Sequence, residues 1–486
     1  DKGILNGTYY FDVLPGRGGI GEVELYVNQK LIRKYKPADL VKKNSFYTLT
    51  VPQSLIRSYF ISGEPNSVTV RASTRAGTML SRGTTLAPVQ HSKAKVNPDL
   101  HILSIGVSKY KGEQLKLTYA SKDATDFNTI MDLAGKKLFN TDAKPHVFTY
   151  LFNTEGNGGR WPSKTSISKL ADSLANRLKP DDILLVFFAG HGVLTSGPNS
   201  FYLLTADAGS QDLSGVENEV AISTDELLGW LRRIRANKQV LILDACNSGQ
   251  VVQQAGGIRI KREMPADQLR ALENLKDKTG TFILSASASG QAAYETSLFG
   301  QGILTYSLLS GIKLGSGLQD NRYIDLSNWF NYAAGQVKNL AREIGGRQDP
   351  QIIGNASFAI GMVDKAIAES INLPMKKKIF RNSLFIHNDE LLSDDLDLSV
   401  LIDQALKNEA ERGRQSAWVY VAGNNFAEAH SVRGRYEIKG DTVQVKVSVI
   451  KGVREVLFSF ETSGTLRNKD ALAEQIVNRI RRTLLQ

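Results

Sequence analysis

The sequence predicts an α/β protein: a mostly parallel sheet with helices on both faces, preceded by a small β-sandwich and followed by an α+β domain. Three observations carry that expectation. Between residues 98 and 362, apolar runs such as "LHILSIGVS", "DDILLVFFAG" and "QVLILDA" alternate with segments of helical period. Strands this apolar are covered on both faces, and their alternation with helices implies parallel pairing. Residues 1–92 instead hold short alternating segments broken by Gly and Pro, and residues 363–486 combine two helical stretches with a long hairpin pattern.

Bulk properties agree with this division. A chain of 486 residues exceeds one ordinary domain. Hydrophobic residues make up 42 % and charged residues 22 %, a globular balance that argues against wholesale disorder. No apolar run reaches about 18 residues, so no membrane span is expected. The net charge of +11 comes from scattered lysines and arginines with short clusters such as 376–378. It reads as a solvated basic surface, and no nucleic-acid partner is inferred. The single cysteine forbids an internal disulfide and any multi-cysteine zinc site. No signal peptide is visible, but the chain begins at Asp1, so an upstream leader or domain is left open and no compartment is assigned.

Taken in order, "EVELYVNQKLI" alternates and turns at Asn28, and "SFYTLTV" and "NSVTVRAST" alternate as well. "GRGGIG" at 16–21 has the glycine spacing of a dinucleotide fingerprint, but a strand pattern follows where the fingerprint needs a helix, so a hairpin loop is expected. Residues 87–99 are polar and unpatterned, a linker. In the central region "YASKDATDFNTIMDL" puts Ala120, Ala124, Phe127, Ile130 and Met131 on one helical face. "HVFTYLF" is a strand, "SKTSISKLADSLANRL" and "STDELLGWLRRI" are helices, "TFILSAS" is a strand and "GILTYSLLSGI" a helix. Residues 250–278 read as a polar, basic loop. Beyond Met362, "LSVLIDQALKNEAERG" is helical and "AWVYVAG" a strand. "YEIKGDTVQVKVSVI" turns through Gly440, "VLFSFETSG" adds a strand, and "DALAEQIVNRIRRTLL" closes as an amphipathic helix.

In open α/β sheets, sites form beyond the carboxyl ends of strands. One strand delivers His191-Gly192 in "FFAGHG"; another delivers Asp244 and the lone Cys246 in "LILDACNSG". If the two strands are parallel, thiol and imidazole emerge at one edge, a nucleophile and base arrangement. Backbone N–H groups of Gly192 and Cys246 at the strand ends would serve a developing oxyanion. Taken singly, a strand-end Cys is usually a small buried hydrophobe and a lone His a satisfied structural residue. Their pairing, with Asp244 and Asn247 flanking the Cys, weighs against that reading.

"DACNSG" with "FFAGHG" 55 residues upstream resembles the caspase signature of a Cys with a His about 50 residues before it. With "LSIGVSKY", "YASKDATDF", "SASASGQAAYE" and "GQGILTYSLLSG" in this order, residues 98–362 resemble the caspase superfamily, on its metacaspase and bacterial caspase-like side. The resemblance implies that Cys246 is the nucleophile and His191 its partner in a dyad. It implies a substrate pocket holding two carboxylates, Asp123 and Asp244, and a substrate-bordering loop containing Ser285 and Ser287. A solvated helix Asp, a strand-end hydrogen bond and a plain Ser-rich turn are the respective alternatives. Animal caspases cut after Asp, held by arginines. The carboxylates here reverse that charge, so cleavage after Arg or Lys is expected. Such specificity makes Arg259, Lys261 and Arg262 candidates for self-cleavage. No cofactor is required. Calcium is a candidate activator because some metacaspases use it, although the chain has no EF-hand loop.

Residues 1–92 resemble immunoglobulin-like modules beside bacterial caspase-like domains, and 363–486 are similar to the TolB amino-terminal-like domain, an interaction or regulatory module. The expected partners are therefore protein or peptide substrates with basic residues, plus a partner for either flanking module. The alternative to a cysteine endopeptidase is a non-catalytic caspase-like scaffold for signalling or assembly. A nucleotide binder lacks a working glycine loop.

Overall fold

The computed structural model describes residues 3–87, 97–156, 158–194, 201–247, 254–255, 258–260, 266–286, 294–296, 299–343, 348–355, 357–373, 377–389, 391–410, 417–421 and 429–485. Its centre is a sheet built from β1 (Leu100–Gly106), β2 (Val147–Asn153), β3 (Ile183–Leu194), β4 (Lys238–Asn247), β5 (Phe282–Ser285) and β6 (Gln351–Ile353). The spatial order is β2-β1-β3-β4-β5-β6. The first five strands are mutually parallel and β6 runs antiparallel to β5.

Six main helices connect these strands: α1 (Ala120–Phe139), α2 (Lys164–Arg177), α3 (Thr224–Arg233), α4 (Ala266–Thr279), α5 (Ile303–Lys313) and α6 (Leu326–Glu343). The chain steps from β1 one way to β2, then crosses back to β3 and continues to β4 and β5. Right-handed crossovers therefore put α1 on one face and α2, α3 and α4 on the other. Helix packing agrees: α1 touches α5, which lies along α6, while α3 touches α2 and α4. The direction of winding, not of the strands, reverses between β1 and β3, so the crevice at their carboxyl ends is where an α/β sheet opens a binding site.

Every residue of β1 is buried, as expected for a strand covered on both faces. The expected face of α1 (Ala120, Ala124, Phe127, Ile130, Met131) is buried in full. Two helices depart from the sequence reading. Residues 266–279, read as loop, form α4, because Ala271, Leu272 and Leu275 bury one narrow stripe in an otherwise charged segment. Helix α6 buries Trp329, Phe330, Ala333 and Val337, but its Asn and Gly residues hid the period. Strand β3 also runs further than read, through His191 to Leu194.

The amino-terminal residues form two four-stranded antiparallel sheets around one core that includes Tyr9, Phe11, Val23, Leu49 and Val68. The strands Val23–Val27 and Lys30–Tyr35 join through Asn28 (φ 49°) and Gln29 (φ 71°), the two left-handed residues of a tight hairpin turn. Gly19 N–H donates to Gly16 O at 3.0 Å, so "GRGGIG" is a turn and a strand follows it. This module sits on the carboxyl ends of α3 and α4. The fully buried Lys30 amine donates to the carbonyls of Leu231 (3.2 Å), Ile234 (2.5 Å) and Ala236 (2.6 Å). Glu24 accepts from Lys278 at 2.6 Å, and the Ser62 N–H donates to Asp181 at 2.6 Å. A cation among the unpaired carbonyls at a helix carboxyl end is the favourable placement. The contact lies at the amino edge of the sheet, away from the β3 and β4 carboxyl ends.

The carboxy-terminal residues form a five-stranded sheet, with Lys378–His387 between Trp418–Val421 and His430–Lys439, and a separate core. The hairpin His430–Lys439/Thr442–Lys451 turns at Gly440 (φ 64°), as its sequence indicates. The strand Lys378–His387 escaped the sequence reading, since its basic and polar residues interrupt the alternation. No helix among the described residues is long and apolar enough to cross a membrane.

Candidate active site

Strands β3 and β4 pair in parallel with His191 opposite Cys246, Gly192 opposite Asn247 and Ala189 opposite Asp244. Neighbouring strands lie about 4.8 Å apart, so His191 and Cys246 are side-by-side residues at the carboxyl rim of the sheet. Two residues that are 55 positions apart in the chain are thus joined by strand pairing. Gly192 also pairs with Leu203 of the antiparallel strand Phe201–Leu204, which extends the rim.

The imidazole of His191 is buried and held from two sides. Its Nε2 lies 2.8 Å from the carbonyl of Leu115, and its backbone N–H donates to the Tyr110 hydroxyl at 2.9 Å. The Tyr110 ring lies against the imidazole with centroids 5.2 Å apart. A carbonyl only accepts, so Nε2 carries the proton and Nδ1 holds the lone pair in the neutral ring. Gly190 makes this packing possible, because a Cβ there would sit 3.0 Å from the Tyr110 hydroxyl and 3.1 Å from the Phe188 ring.

The two carboxylates meet at the amino end of α5. Asp123, buried in the first turn of α1, accepts from the Gly302 N–H at 3.0 Å. Asp244, buried in β4, accepts from the Thr305 hydroxyl at 2.8 Å and its N–H at 3.3 Å. A Cβ on Gly302 would stand 2.6 Å from Asp244 Oδ2 and 3.0 Å from Asp123 Oδ2. Gly302 has φ −61° and ψ 141°, so the position excludes side chains by space and not by backbone strain. Asp123 reaches this point because α1 starts hard against β1: a Cβ on Gly106 would lie 2.3 Å from the Ala120 carbonyl. Ser121 pins the same turn, with its N–H on Ser108 Oγ at 2.9 Å and its Oγ 2.8 Å from Thr154 Oγ1.

Of the other residues singled out in the sequence, Ser285 ends β5, fully buried and opposite Leu243 of β4. Arg259 lies in the strand Ile258–Ile260, opposite Glu295, which in turn stands opposite Gly302. Ser287, Lys261 and Arg262 fall outside the described residues. Tyr110, Leu115, Gly302 and Thr305 were not singled out. Leu115 acts through its carbonyl, which no sequence pattern marks, whereas "GQGILT" carried Gly302 and Thr305 in plain view.

The caspase-domain family model matches residues 101–357. No curated protein matches. Among solved structures, a group B Streptococcus pullulanase, SAP, aligns at 10 % identity over 60 % of this chain and 46 % of its own length, with a TM-score of 0.15. This chain therefore spans less than half of that protein's length.

Proposed function

The chain belongs to the caspase family, whose members include cysteine peptidases, and from that premise we propose that it is a cysteine endopeptidase that cleaves after Arg or Lys. Cys246 is the nucleophile. Its sulfur attacks the scissile carbonyl, and the tetrahedral oxyanion is held by backbone N–H groups, with Gly192 and Cys246 as the donors. His191 takes the thiol proton on Nδ1 and delivers it to the leaving amine as the C–N bond breaks. Water then attacks the thioester, giving the free acid and the thiol. The Leu115 carbonyl and Tyr110 keep the imidazole in register through both steps.

The observation that carries this reading is the convergence at one rim. The parallel pairing that sets His191 beside Cys246 also places Asp244 two residues earlier on the same strand, facing Asp123 across Gly302. A guanidinium entering beside Gly302 meets two carboxylates, a match suited to bidentate pairing. Arg259 sits in the same small sheet as Gly302, which supports the segment holding Arg259, Lys261 and Arg262 as a self-cleavage region. Calcium as an activator and a binding role for the flanking modules complete the proposal. The test is a panel of fluorogenic peptides ending in Arg, Lys or Asp, read with and without calcium and with a thiol alkylator. Arg or Lys turnover that alkylation abolishes supports the peptidase. Inertness of all three, before and after a trial proteolytic nick, supports the scaffold.

A further inference from the structure

The amino edge of the sheet, opposite the proposed catalytic rim, carries ionisable side chains that the peptidase reading does not use. Asp99 precedes β1, Asp182 precedes β3, and His101 is the second residue of β1. Parallel pairing of Leu100 with Ile183 brings the three together. One carboxylate oxygen from each Asp and a ring nitrogen of His101 all lie within 4.8 Å of one another. His101 and Asp182 are only 3 % and 4 % exposed, while Asp99 opens the cluster to solvent.

Each member is oriented by a neighbour. Asp182 accepts from the N–H of Lys179 at 2.7 Å and of Asp99 at 3.2 Å. Asp99 Oδ1 is 2.7 Å from His146 Nδ1, and the other His146 nitrogen lies 3.1 Å from Asp142. His101 stacks on Phe148 with centroids 5.0 Å apart, and its Nδ1 is 3.2 Å from the Tyr150 hydroxyl, which also accepts from Arg177. His101 Nε2 has no hydrogen-bond partner among the described residues. Asp99 has the His146 imidazole as a partner, whereas Asp182 has only backbone N–H partners among the described residues.

We propose that Asp99, His101 and Asp182 bind one divalent transition-metal cation of borderline softness, zinc being the representative. One nitrogen and two oxygens with water as the fourth ligand fit zinc, and the imidazole disfavours calcium and magnesium. Two carboxylates neutralise the ion. His146 behind Asp99 and Tyr150 behind His101 are the outer partners that orient such ligands. The ion staples the starts of β1 and β3, one residue from the Asp181 contact with the amino-terminal module. This role is structural and independent of the peptidase reading.

The test uses the untagged full chain carrying Cys246→Ala, which removes the thiol as a competing zinc ligand. After chelator dialysis, zinc, manganese and calcium are titrated separately by calorimetry. Zinc is expected to bind at one equivalent and raise the melting temperature, with His101→Gln and Asp182→Asn each weakening it by about tenfold or more. Cobalt(II) is the second readout and needs no variant in the cluster: it should give the visible bands of a four-coordinate nitrogen and oxygen site, displaced by zinc. Absence of saturable zinc uptake, uptake unchanged by both substitutions, or calcium preferred over zinc overturns the proposal.

Discussion

Replacing Lys30 with Met tests whether the amino-terminal module is fastened to the central domain by one buried cation. Met keeps the length of the side chain and removes the three donors. Gln239 already donates to the Leu231 carbonyl at 2.9 Å and to that of Ile234 at 3.2 Å, so these keep a partner. Ala236 O keeps none among the described residues. One orphaned buried carbonyl costs roughly 1–3 kcal/mol, and hydrogen bonds to a charged donor are worth somewhat more than neutral ones. Met also escapes the cost of burying an ammonium group. The expected net loss is about 2–4 kcal/mol in the free energy that opens this contact. Amides in Lys30–Tyr35 and in 234–239 should therefore exchange hydrogen about 30- to 1,000-fold faster in the variant, while amides of the carboxy-terminal sheet stay unchanged. Burial pushes the Lys30 amine down to about 7, against about 10.4 in an unfolded chain. Below pH 7 both states hold the proton and the full burial cost applies. Between pH 7 and about 10 the unfolded state binds more protons, so stability contributed by this residue rises with pH. Urea midpoints should show wild type gaining on K30M by about 1–3 kcal/mol between pH 6 and pH 9. Equal exchange rates in the two proteins, or a wild-type advantage that shrinks as pH rises, would refute the reasoning.

Four further outcomes follow from the site. Cys246→Ala should abolish Arg-peptide turnover and any nick near Arg259 while leaving circular dichroism intact; residual cleavage at the wild-type rate would move the nucleophile elsewhere. Asp244→Asn preserves an acceptor for the Thr305 hydroxyl and removes the charge, so kcat/KM for Arg peptides should fall by about 10- to 1,000-fold with the fold retained; Asp123→Asn should act in the same direction. Gly302→Ala puts a methyl against both buried carboxylates without backbone strain, and the expected signature is a raised KM together with a lowered melting temperature, because the carboxylates must shift off their Gly302 and Thr305 donors. Tyr110→Phe strips the acceptor from the His191 N–H and should cost about 1 kcal/mol in stability, with a several-fold fall in kcat measured on the same peptide.

Much of the fold can be read from residue order alone. The period of "YASKDATDFNTIMDL" marks one face of α1, and the unbroken apolar runs of β1, β3 and β4 call for burial on both sides. The elements that escaped have particular reasons. Helix α4 hides Ala271, Leu272 and Leu275 among lysines, and its charge balance resembles a solvated loop. Helix α6 carries Gly335 and several asparagines inside an otherwise amphipathic stretch. The strand Lys378–His387 is half polar because it lies in a sheet with one exposed face.

Sequence by itself determined the chemistry on offer: a single thiol after an apolar strand, an imidazole after another, a carboxylate two places before the thiol, and an acidic helix start. Tertiary structure decided which of these meet. The order β2-β1-β3-β4 sets His191 beside Cys246; α5 gathers Asp123 and Asp244 around Gly302; and the same pairing at the opposite edge assembles Asp99, His101 and Asp182, which no spacing in the chain announces. The physical reason is range. Periodicity and turn chemistry are properties of a few consecutive residues, whereas a site is a set of distances, and strand order and helix packing alone convert residues scattered along 486 positions into neighbours.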